Sequence, residues 1–139
     1  MDFMTSVRTC LHKYATFDGR ASRSEFWWFY LFTALVTLVL YIIAIFFGVL
    51  AGVTGDGMIS GLLAVMSLFA NLAMFAVSVA LLIPLLAVGC RRLHDRGQSG
   101  WLQLLLIVPC GGIVLIVFWV LEGTPGPNAY GPPPGASAY

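Results

Sequence analysis

From residue 26 to residue 50 the chain carries no charged side chain, and only Thr33, Thr37, Tyr41 and Gly48 interrupt its apolar character. A helix of about 25 such residues has no polar face to turn to water, but it is long enough to cross the ~30 Å hydrocarbon core of a bilayer with some tilt. It is also too long for the ~7–15-residue core of a signal peptide, and no A-x-A cleavage pattern follows it, so the sequence predicts a retained anchor. Two more apolar runs follow, of about 27 residues (62–88) and about 21 residues (101–121). The chain as a whole is 60% hydrophobic and 9% charged, where soluble domains hold ~25% charged residues. The expected fold is therefore all-α: a polytopic membrane helical bundle with three hydrophobic segments in one integral domain. Residues 1–25 form a cytoplasmic amphipathic lead-in, 26–121 the membrane segments, and 122–139 a Pro/Gly-rich tail.

The breaks are legible. Residues 51–61 (A-G-V-T-G-D-G-M-I-S-G) and 90–100 (C-R-R-L-H-D-R-G-Q-S-G) carry the glycines and charges of turns. Pro84 stands near the end of the second run and can bend it. The third run has V-P-C-G-G (108–112) at its centre. Its length favours one crossing. The alternative is a re-entrant hairpin with its tip at P-C-G-G, which requires non-helical backbone at membrane depth to be covered by protein or water. The tail holds five of the seven prolines and forms no buried element of its own.

Charge orients the chain. All seven basic residues (Arg8, Lys13, Arg20, Arg23, Arg91, Arg92, Arg96) lie before the first run or between the second and third. Cytoplasmic loops carry the Lys/Arg excess, so the N-terminus and the R-R-L-H-D-R-G turn are expected inside the cell and residues 51–61 outside. The tail carries no Lys or Arg, so charge leaves its side open. A net charge of +1 supplies no field for nucleic acid.

The stretch F-D-G-R-A-S-R-S-E-F-W-W-F-Y (17–30) fits the passage from water to lipid. Ser22 and Glu25 have capping-box spacing, each side chain reaching the other's amide. Phe26, Trp27, Trp28 and Tyr30 form an interfacial aromatic belt. Arg20 and Arg23 suit lipid phosphates. Upstream, Val7, Leu11 and Tyr14 share a helical face that suits a membrane surface. At the second turn, Gly97 and Ser99 are expected caps, and Arg91, Arg92 and His94 suit the carboxyl end of the preceding helix. Ion pairs between Asp95 and Arg20, or Glu25 and Arg92, would tie the first two helices together.

Sites of sharper chemistry find little support. Cys10, Cys90 and Cys110 form no C-x-x-C and read as small apolar filler. Cys90 and His94 share a helix face, but with Cys10 and His12 they match no zinc spacing. His94, Asp95 and Ser99 are neighbours in sequence, which rarely yields a triad. No apolar run holds an ionisable group of the kind that marks proton relays. Ala44-x-x-x-Gly48 and Ala76-x-x-x-Ala80 are expected helix-packing notches.

Three stretches together, F-D-G-R-A-S-R-S-E-F-W-W-F, R-R-L-H-D-R-G-Q-S-G-W and G-T-P-G-P-N-A-Y-G-P-P-P, resemble the bacterial inner-membrane proteins of the domain-of-unknown-function 805 (DUF805) family, the YhaH-like proteins. The resemblance covers almost the whole chain. It implies a small multi-pass inner-membrane protein and no established activity, cofactor or substrate. The motif residues mark the candidate lipid- or partner-binding set: Arg20, Arg23, Glu25, Trp27, Arg91, Arg92, His94, Asp95 and Asn128. They form one composite site only if the third run re-enters. No catalytic residue, metal or cofactor is expected. The expected function is a non-catalytic oligomeric scaffold or accessory subunit of a larger membrane complex, with a basic cytoplasmic face binding anionic lipid head groups. The alternative is an oligomeric pore or a lipid or small-solute transporter.

Overall fold

The computed structural model describes residues 1–135; the last four residues of the expected tail lie outside the described residues. The described residues hold helices and no strand beyond one isolated bridge between Asn128 and Gly131. In order these are α1 (Phe3–His12), α2 (Arg23–Val53), α3 (Met58–His94), a 3-10 helix (Gly100–Ile107) and α4 (Gly111–Val120). At 1.5 Å per residue α2 and α3 are about 46 and 55 Å long, and both are long and apolar enough to cross a membrane.

The chain divides into two compact units, Leu31–Leu81 on one side and Met1–Tyr30 with Leu82–Tyr139 on the other. In the first, the turn between α2 and α3 is shorter than expected, because helix persists to Val53 and resumes at Met58. The expected notch at Ala44 and Gly48 is filled: Ser67 Oγ donates to the Ala44 carbonyl at 3.1 Å, and a Cβ on Gly48 would stand 3.3 Å from the same hydroxyl. The second notch, at Ala76 and Ala80, is exposed. Most side chains of this unit are exposed apolar ones, Phe69 and Phe75 among the most open. A surface of that kind is covered by hydrocarbon rather than water.

The second unit holds the buried core. The single crossing helix expected of residues 101–121 does not form. Pro109 drives Val108 into extended backbone (ψ 133°), and Cys110 turns the chain at φ 65°. Gly111 packs so close to the Leu105 carbonyl that a Cβ there would overlap it. The 3-10 helix and α4 thus become two legs packed on each other, about 16 and 15 Å long, each roughly half a bilayer core. Helix α1 also differs from expectation. It turns Ser6, Val7 and Cys10 inward, and leaves Leu11 and Tyr14 exposed.

Candidate functional site

The residues singled out in sequence converge in the second unit, around the carboxyl end of α3. That end is closed by the expected glycine: Gly97 takes φ +69°, and the amides of Gly97 and Gln98 donate to the carbonyls of His94 and Leu93, a Schellman motif. Ser99 accepts from the Trp101 amide at 3.4 Å. Ser22 caps α2, accepting from the Glu25 amide at 3.1 Å. The reciprocal half of that capping box is replaced, because the Glu25 carboxylate turns inward to Arg91.

Five charged groups are buried together. Glu25 accepts from Arg91 Nη1 at 2.8 Å. The Asp95 carboxylate accepts from Arg20 (Nε at 2.9 Å) and from Arg92. All five side chains are 6% exposed or less. The expected Asp95–Arg20 pair is present; the expected Glu25–Arg92 pair is not. Arg92 instead caps α4, donating to the carbonyls of Trp119 (3.1 Å) and Leu121, where the helix dipole and the orphan carbonyls favour a cation. Three cations face two carboxylates, and these carbonyls take up the excess. Burial of charge at this density is tolerated only with such pairing.

Arg20 also grips the tail. Its Nη1 donates to the Gly126 carbonyl at 2.6 Å and its Nη2 to that of Thr124 at 2.7 Å. The tail answers by closing α3: the Thr124 amide donates to the Asp95 carbonyl at 2.8 Å, and Asn128 Nδ2 to the His94 carbonyl at 2.9 Å. Asn128 Oδ1 accepts from the Tyr130 amide and shapes the turn. Gly123 lies so close that a Cβ would overlap the Asp95 carboxylate. The tail thus belongs to the site.

His94 stacks on Tyr130, with ring centroids 3.8 Å apart and planes at 3°. Its Nδ1 lies 3.2 Å from the Gly19 carbonyl and so donates to it; Nε2 lies 3.5 Å from Cys90 Sγ. Asp95 is engaged by arginines and Ser99 by a backbone amide, so these three side chains form no triad. Among the described residues no group of three metal-ligating side chains gathers. Cys10 is fully buried, its thiol 3.8 Å from Glu25 Oε1. Burial and that carboxylate push the thiol up to about 12. Of the candidate set, Arg23 alone reaches well into solvent, with half its side chain exposed and a surface pair to Glu122 at 3.1 Å. Trp27 packs edge-on against Phe26, centroids 5.2 Å apart.

Sequence reasoning missed three contributors. Trp119 packs on Phe26 with ring centroids 4.6 Å apart and planes tilted by 36°, and donates Nε1 to the Gly89 carbonyl. Gln103 donates to the Leu86 carbonyl at 3.0 Å, and Gly89 leaves room for it, since a Cβ there would overlap Gln103 Nε2 and displace that amide. The available signal was a lone amide inside the third apolar run and a tryptophan three residues before its charged end.

No solved structure matches this chain. Similar proteins include the inner membrane protein YhaI of Escherichia coli K12, 38% identical over 125 residues, which cover 89% of this chain and 90% of that protein. Another is the inner membrane protein YhaH of the same strain, 35% identical over 136 residues, covering 96% and 97%. The profile of the family described as "Protein of unknown function (DUF805)" matches residues 14–132, a span that takes in the first two motif stretches, the third up to Pro132, and every charge of the buried cluster. With two helices of membrane-crossing length, the chain is an inner-membrane protein and belongs to the DUF805 family.

Proposed function

We propose that this is a non-catalytic, multi-pass membrane protein that serves as an oligomeric scaffold or accessory subunit, with its N-terminus, its R-R-L-H-D-R-G turn and its tail all on the cytoplasmic side. The observation that supports it best is the use of the buried charge: Arg20 and Arg92 spend their donors on Asp95 and the carbonyls of α4 and the tail, and Arg91 pairs with Glu25 through Nη1 while its Nε and Nη2 stay buried without a hydrogen-bond partner among the described residues. Groups so engaged fix a shape; they are not poised for chemistry. The grip of Arg20 on Thr124 and Gly126 favours a re-entrant third segment, since a tail across the membrane could not be reached. Head-group binding then falls to the cations left in solvent, Arg8 and Lys13 together with Arg23. An exposed arginine or lysine beside an anionic leaflet attracts it by ~1 kcal/mol.

The test is purification of the protein from native membranes in polymer nanodiscs. The wild type should carry anionic lipid above the bulk fraction and co-purify as an oligomer or with a stoichiometric protein. Changing Arg8, Lys13 and Arg23 together to Gln should remove the lipid enrichment. A lone monomer with bulk lipid composition, or solute flux through it in liposomes, would contradict the reading.

A further inference from the structure

A cavity of about 710 Å³ opens in the second unit beside the carboxyl turn of α3, within the ~300–1,000 Å³ range of small-molecule sites. Its walls are mostly apolar, with Leu86 from α3 and Leu104, Leu106 and Ile107 from the 3-10 helix, and His94, Ser99 and Gln103 add a few polar atoms. Ile107 and Trp101 in its lining are about four-fifths exposed, apolar surface of the kind that hydrocarbon rather than water covers. Phe17, Asp18, Trp101 and Tyr130 also line it.

Asp18 decides what the occupant must be. Every other carboxylate of this unit has a partner: Glu25 has Arg91, Asp95 has Arg20 and Arg92, Glu122 has Arg23, and Asp2 caps α1. Asp18 is exposed and, among the described residues, has neither an ion pair nor a hydrogen bond. Arg20, Arg92 and Arg96 donate instead to carbonyls of the tail, of the carboxyl end of α4 and of Glu122. An unmatched anion that shares the lining of a greasy cavity with aromatic side chains is complementary to an amphiphile whose head is an ammonium.

We propose that this cavity is a binding site for one membrane phospholipid with a primary-ammonium head, the ammonium at Asp18 and an acyl chain between Leu86 and the 3-10 helix. The site is separate from the basic groups assigned above to anionic lipid, and its chemistry is opposite in sign.

The test uses full-length protein in nanodiscs made with a trace of photoactivatable phosphatidylethanolamine or phosphatidylglycerol, each with a diazirine on the acyl chain. Adducts are mapped by peptide mass spectrometry. The ethanolamine probe should label the peptide holding Leu104 and Ile107 at least five-fold above the exposed faces of residues 31–81, and the glycerol probe should not. Asp18→Asn should abolish that preference; because Asp18 is exposed, the variant folds as the wild type does. Leu104→Trp, which fills the cavity, should remove labelling there by both probes. Uniform labelling along the apolar helices overturns the proposal. So does an Asp18→Asn variant that labels like the wild type, or equal labelling of the cavity by the glycerol probe, which would mean an occupant selected by its chain alone.

Discussion

Asp95 is the carboxylate on which two buried arginines depend. Changing Asp95→Asn keeps its shape and removes its charge. Arg20 and Arg92, with side chains 2% and 1% exposed, would then face only carbonyls and an amide, and the cluster would hold three cations against the single carboxylate of Glu25. Removing one member of a buried pair costs about 3–5 kcal/mol, because the partner charge is left uncompensated; with two partners stranded, the upper half of that range is expected. The assay is reversible unfolding by dodecyl sulfate in mixed micelles, followed by far-ultraviolet circular dichroism. A double-mutant cycle with Arg20→Gln isolates the pair, and its coupling should fall at about 1–3 kcal/mol. An Asp95→Asn protein within about 1 kcal/mol of the wild type, or strict additivity with Arg20→Gln, would show that the cluster does not hold the fold together.

Other outcomes follow from the same geometry. Gly123→Ala places a methyl group on the Asp95 carboxylate, so the tail must lift; limited proteolysis after residue 122 should speed up at least several-fold, while Ala129→Ser, at an exposed position of the same tail, should leave the rate unchanged. Exchanging Glu25 and Arg91 together should recover stability lost by either reversal alone, as judged by yield of monodisperse protein, whereas exchanging Glu25 and Arg92 should not. Cys10, its thiol pushed up to about 12, should resist maleimide at pH 8–9 in the folded protein and react on unfolding. The sign is fixed: the folded state holds that proton above the ordinary thiol value of 9.0, so this group's contribution to stability is complete below pH 9 and declines as pH rises toward 12.

The apolar runs told where α2 and α3 would lie, to within a few residues beyond each end, because a helix in lipid has nowhere else to place its backbone polar groups. Gly97, Ser22 and the Arg20–Asp95 pair were equally legible, since caps and opposite charges at motif positions leave few choices. The partner of Glu25 was not. Arg91 and Arg92 are adjacent on a helix and point about 100° apart, so which one meets Glu25 depends on how α3 is rotated, and packing of Trp119 and Gln103 sets that. The third segment misled because counting residues ignores Pro109: the fold of residues 100–120 follows from one missing amide and a left-handed Cys110, not from summed hydropathy. The inward face of α1 was likewise unreadable, as it is defined by Glu25 and Arg91, which are distant in sequence.

The proposed topology puts the lead-in, the turn after α3 and the tail at one junction on the cytoplasmic side. Single cysteines at Ala15, Met58 and Ala129, in a cysteine-free background, test it with a membrane-impermeant maleimide applied to spheroplasts and to inverted vesicles. Ala15→Cys and Ala129→Cys should label only in inverted vesicles and Met58→Cys only in spheroplasts. Labelling of Ala15→Cys and Ala129→Cys from opposite faces would contradict it.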